Sequence, residues 1–101
     1  MDSVMPNNQR SVISQWVRLT HGHELVYCVT RSELFSDELG RFVSFGVGIS
    51  DRSSNVCTYL EDISPDRNAV LGFAKRCSDM EVFPEHLQDT AENFLAGLYS
   101  V

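Results

Sequence analysis

Apolar and polar positions change their spacing once along this chain of 101 residues. Up to about Glu61 the apolar residues tend to alternate, the period of a strand; beyond Pro65 they recur every three or four residues, the period of a helix. The change falls within Tyr59–Val70, where Ser64 suits a helix N-cap and Pro65 the first helical position, which needs no N–H. Asp66 then places negative charge at the positive end of the helix dipole.

Ahead of that junction, Phe42–Ser50 is the clearest strand. Val43, Phe45, Val47 and Ile49 fall on one face; Ser44, Gly46 and Gly48 fall on the other. Two glycines on one strand face imply close approach, by a packed aromatic, by another backbone or, in the sharper reading, by a ligand. His23–Arg31 is strand-prone throughout. Asp51–Asn55 is a polar turn of hairpin length, so Val56–Glu61 makes a third strand antiparallel to the second. Ser32–Arg41 reads as a connection closing on Gly40, with Leu34, Phe35 and Leu39 forming a helical turn or pinning the loop to the domain. Ser11–Thr20 fits a short helix and a strand about equally; His21-Gly22, as a tight turn into the next strand, favours a strand. Trp16 implies that this segment docks on the core.

Behind the junction, a helix is expected over Pro65–Ser78, burying Ala69, Val70, Phe73, Ala74 and Cys77 with Lys75 and Arg76 outward. A second is expected from Phe83-Pro84 onward, burying Leu87, Ala91, Phe94, Leu95 and Leu98. The spacing thus predicts an α+β domain over residues 11–101, after a loose tail over 1–10. An antiparallel sheet of three strands, four with Gln15–Thr20, has one face covered by two antiparallel C-terminal helices.

Charge changes the picture by exclusion. The net charge is −6, and from Asp79 onward there are five acids with no Lys or Arg. Grip on nucleic acid needs a basic stripe, so this chain reads against it. There is no basic start with an apolar block behind it and no apolar run of spanning length, which points to a cytoplasmic protein outside the membrane. Cys28, Cys57 and Cys77 are odd in number and widely spaced, as in buried free thiols of a reducing compartment.

Candidate chemistry is sparse. His86 and Asp89 stand three apart, neighbours on one helix face, where a carboxylate can orient an imidazole; with Glu92 they outline a weak hydrolase or metal site. The plainer reading is that Asp89 favours a first turn and His86 packs near the link. The three cysteines fall in strand patterns or on an apolar helix stripe, the places of inert core thiols. No Gly-rich phosphate loop, GxSxG or HExxH occurs, so an enzyme is disfavoured and no cofactor is called for.

Phe45-Gly46-Val47, Leu60-Glu61-Asp62-Ile63-Ser64-x-Asp66, and Val82-x-Pro84-x-His86-Leu87-x-Asp89 leading to Glu92-x-Phe94-Leu95 resemble domain-of-unknown-function family 6514, short bacterial proteins of the Firmicutes. The resemblance spans about residues 42–96. It departs at Asn93, where a second acid is expected, and at Phe45, where Tyr is more usual. It implies a small strand-then-helix fold and no activity, while its motifs single out Asp62, His86, Asp89 and Glu92. The leading expectation is a non-catalytic protein-interaction or regulatory module, self-associating as a homodimer or binding a protein partner. It would use a strand edge or the acidic second helix. The alternative is a small-molecule-binding domain using the face of Gly46 and Gly48.

Overall fold

A computed structural model describes residues 10–99, with backbone alone for Leu98 and Tyr99. The expected tail over 1–10 lies, but for Arg10, outside the described residues, as does the Leu98 side chain. The order is β1 (Ser11–Thr20), β2 (His23–Ser36), β3 (Gly40–Asp51), β4 (Val56–Ser64), α1 (Arg67–Asp79), a single 3-10 turn (Pro84–His86) and α2 (Leu87–Tyr99). The strands form one antiparallel sheet in the order β1-β2-β3-β4. The α+β architecture is as expected, with Ser11–Thr20 as the fourth strand.

Each turn follows local chemistry. His21 and Gly22 have φ of 50° and 81°, so both central residues are left-handed, as a two-residue hairpin following strand twist requires. Ser32–Arg41 is not a connection: β2 runs on to Ser36 and β3 starts at Gly40, whose φ of 70° closes a three-residue turn. The β-prone residues in this stretch pair with one another, Leu34 opposite Phe42 and Phe35 opposite Arg41. Among the described residues, pairing with β1 stops at Arg31 and pairing with β4 at Phe45, and the hairpin continues as a two-stranded arm. Phe35 and Leu39 are exposed near its tip and pin nothing.

The helix start also lies later than expected. Asp66, not Ser64, caps α1: its carboxylate accepts from the N–H groups of Asn68 and Ala69 at 3.1 and 3.2 Å. The Ser64 hydroxyl accepts from the N–H of Asp66 at 3.0 Å, a turn that leads into the cap.

The core lies between the helices and one sheet face. Leu25, Tyr27 and Val29 of β2 and Val47 and Ile49 of β3, all fully buried, meet Val70, Phe73 and Cys77 of α1 and Leu87 of α2. Trp16 and Phe45 pack partly buried against this cluster. Phe73 stacks on Phe94 with ring centroids 4.6 Å apart, joining the helices. Tyr27 donates from its hydroxyl to the Val82 carbonyl at 3.0 Å. Burial, with the nearby Cys77, pushes the Tyr27 hydroxyl up to about 12, so it stays a neutral donor.

One irregularity shapes the far edge. Phe45 pairs with Ser64 and Val47 with Leu60, so Glu61, Asp62 and Ile63 of β4 all stand opposite Gly46. The bulge turns Ile63 into the core and Asp62 toward Ser44, whose hydroxyl donates to its carboxylate at 2.5 Å. A Cβ on Gly46 would run into the Leu60 carbonyl and the Glu61 Cα.

Two glycine substitutions are expected to act in opposite directions. Gly46→Ala should lower stability by about 1–3 kcal/mol through overpacking against β4 backbone. Gly72→Ala, on an exposed helix position with open space around it, should raise stability by about 0.5–1 kcal/mol. Urea unfolding of the two variants checks both signs.

Candidate functional site

The sheet face away from the helices gathers three of the residues singled out from sequence: Gly46, Gly48 and Asp62. The space beside each glycine is taken. A Cβ on Gly48 would lie 2.5 Å from the Tyr59 ring and 2.9 Å from the Cys28 Sγ, while Gly46 faces β4 backbone. The close neighbours are thus an aromatic ring at one glycine and a backbone at the other. Arg10, just ahead of β1, places its guanidinium 4.5 Å from the centre of the Tyr59 ring and pairs with Glu61 at 2.5 Å. It bridges the two edges of the sheet across this face.

His86, Asp89 and Glu92 lie elsewhere, exposed along the 3-10 turn and α2. The His86 N–H donates to the Phe83 carbonyl and its own carbonyl accepts from Thr90; Glu92 accepts from Gln88 at 3.1 Å. Among the described residues no hydrogen bond joins His86 to Asp89, and no three His, Cys, Asp or Glu side chains are grouped to hold a metal ion. A shallow cleft of about 230 Å³ between α1 and α2 is lined by Phe73, Arg76, Met80, Thr90, Asn93 and Phe94. Its size is below that of ordinary ligand pockets.

All three cysteines are free. Cys28 and Cys77 are buried; burial raises both thiols, Cys77 to about 11, so neither offers a thiolate near neutral pH. Cys57 departs from the core position expected of it. It is exposed on β4, because its strand is an edge and its side faces away from the helices.

The two sheet edges differ physically. β4 carries the bulge, Glu61, Asp62 and the Arg10 bridge, all features that blunt an edge. β1 has no proline and no acid over its ten residues. Its outer edge pairs with no strand among the described residues. The register places Val12, Gln15, Val17 and Leu19 opposite Thr30, Cys28, Val26 and Glu24, hence on the face away from the helices. Val12, Val17 and Leu19 are 51%, 48% and 77% exposed. A bulge at Ile13 interrupts the ladder, leaving Ser14–Thr20 as its regular part.

The single base of β1, Arg18, points inward to the end of α1. It donates to the Ser78 hydroxyl at 3.2 Å and lies 3.5 Å from Asp79 and 3.9 Å from Glu81, which also accepts from Thr20 at 2.8 Å. Glu81 takes a left-handed φ of 55° there. Arg18 therefore anchors β1 to the helix and leaves its outer edge unguarded by charge. Sequence reasoning named a strand edge without choosing between them.

In the same row of the sheet as Arg18, at the end of β3 that leads into the β3–β4 turn, Asp51 is almost fully buried. His23 Nδ1 lies 2.8 Å from its carboxylate, which also accepts from the Ser53 N–H at 3.0 Å. Burial opposes ionisation of Asp51, but hydrogen bonds from Ser54, the Ser53 N–H and His23 outweigh it and hold the carboxyl below its usual range. His23 in turn meets the Phe83 ring edge-on at 5.1 Å. This cluster ties the start of β2, the β3–β4 turn and the helix link together.

The model of DUF6514, described as a family of unknown function, matches residues 7–97. The match extends into β1 and β2, beyond the span on which the resemblance was read. No curated protein and no solved structure matches the chain.

A carboxyl held low in the folded state stabilises at pH values above its unfolded pKa and loses that contribution as pH falls. Wild-type stability should therefore drop as pH decreases through and below 3.8, the ordinary value for Asp51. Asp51→Asn should be less stable at pH 7 and flatter over that range. Urea unfolding from pH 7 to pH 3 reads both slopes, and parallel slopes would remove Asp51 as their source.

Proposed function

This chain belongs to DUF6514, and from that premise we propose that it is a non-catalytic protein-interaction module working through the outer edge of β1. The observation that carries the reading is the combination at this edge: ten residues, no proline, no acid, one base turned inward, and three exposed apolar side chains. An edge of this kind presents unpaired N–H and C=O groups to an incoming strand, while Val17 and Leu19 supply apolar contact beside them. Partner binding by strand addition follows from those two features together.

The exposed acids of α2 offer a second surface, for a basic partner. They are dispersed and solvated, and no apolar anchor stands among them comparable to Leu19. Three unpaired thiols support placement in a reducing compartment such as the bacterial cytoplasm, and no helix among the described residues is long and apolar enough to cross a membrane. Origin in the Firmicutes belongs to the same proposal and rests on the sequence resemblance alone.

Affinity purification from the source cell, compared across variants, tests the reading. Val17→Lys and Leu19→Lys alter exposed positions and should leave the fold intact by circular dichroism. Each is expected to deplete a co-purifying partner at least about tenfold, the cost of one unpaired charge against an apolar contact. Asp89→Asn with Glu92→Gln should leave recovery unchanged. A partner lost on the α2 change and kept on the β1 changes would move the interface to the helix and overturn this proposal.

A further inference from the structure

The occupant of the β1 edge can be identified further, on the reading just given that this edge binds protein. We infer that it is β1 of a second copy of this chain, paired antiparallel about a two-fold axis at Val17. Three observations lead there.

First, the ladder itself selects the centre. The bulge at Ile13 breaks the regular pairing of β1, and the uninterrupted part runs from Ser14, opposite Val29, to Thr20, opposite His23. Its midpoint is Val17. Two such segments related by a two-fold axis superpose all seven residues only in that register, since any other centre leaves one end against the bulge or beyond the hairpin turn.

Second, that register is chemically self-complementary. On the face away from the helices, Val17 meets Val17 and Leu19 meets Gln15, burying the two exposed apolar side chains nearest the axis. On the helix side, Trp16 stands opposite Arg18 of the second copy, whose guanidinium stays with its own Asp79 and Glu81, so no two bare charges face each other there. A centre at Arg18 would instead set two guanidinium groups directly opposite one another.

Third, charge permits it. Two copies of a chain of net −6 repel in general. Over Ser11–Thr20 there is no acid, and Arg18 is already matched by Asp79 and Glu81, so the two strands bring no unmatched charges face to face. The product is a continuous eight-stranded sheet with both β1 edges covered. A seven-residue strand pair is smaller than the roughly 1,000 Å² of a stable assembly, so the dimer forms in a concentration-dependent equilibrium.

Sedimentation velocity over a wide concentration range and site-directed disulfide formation test this. Wild type should shift from monomer to dimer as concentration rises, and Val17→Lys should weaken association about tenfold or more by setting like charges face to face. In a Cys57→Ser background, Val17→Cys should form a covalent dimer by itself on mild oxidation, because directly paired Cα atoms stand about 4.5–5.5 Å apart. Gln15→Cys and Leu19→Cys should each cross-link poorly alone and readily when mixed. Cross-linking of Gln15→Cys alone as fast as Val17→Cys would overturn the register. A wild-type monomer at every concentration would overturn the second copy as partner. If Val17→Lys nevertheless depletes a cellular partner, the wider reading of the edge stands; if it does not, both fall.

Discussion

One layer of burial organises this protein. Leu25, Tyr27, Val29, Val47 and Ile49 form a continuous apolar strip across β2 and β3, and α1 and α2 remove it from water through Val70, Phe73, Cys77 and Leu87. A fully buried side chain of this size contributes about 1.5–3 kcal/mol relative to exposure, so the strip outweighs any single polar contact in the molecule. The two helices cover one side of the sheet. The other side must be made by different means.

That second side is built from small and polar residues at its centre. Cys28, Thr30, Ser32, Ser44, Gly46 and Gly48 are all buried there. Tyr59 lies against Gly48, the β4 bulge lies against Gly46, and Arg10 bridges above. These contacts use up the space that a glycine-bearing face offers to a ligand. The exposed apolar side chains are peripheral: the outer residues of β1, Val56 and Tyr59 on β4, Met80 behind α1, and the tip of the β2–β3 arm with Phe35 and Leu39. Most of this exposed apolar surface lies at the edges and ends of the sheet.

Much of this was legible in the chain. The change of period near Pro65, the strand faces of β3, the His21-Gly22 turn and the buried stripes of both helices were readable because each depends on residues close in sequence. Other features were not. Ser64 and Asp66 are both good caps, and only the path of the chain leaving β4 gives the cap to Asp66. Ser32–Arg41 looked like a connection because its polar residues obscure an arm in which β2 turns straight back into β3, Ser36 pairing with Gly40. Cys57 has the neighbours of a core residue and is exposed because β4 ends the sheet. His86 and Asp89 have helical spacing, yet a 3-10 turn precedes α2 and no bond forms between them.

Taken alone, the order of residues determined the period of each segment, where it turns, and which side of each strand or helix is greasy. These properties arise from steric and hydrogen-bonding preferences spanning a few residues. The three-against-one mismatch at Gly46, the inward pull of Asp79 and Glu81 on Arg18, and the contrast between a blunted β4 and an open β1 were decided only in three dimensions. Each depends on groups up to 63 positions apart in the chain, Arg18 and Glu81, whose meeting reflects the packing of the whole sheet against its helices and no local preference.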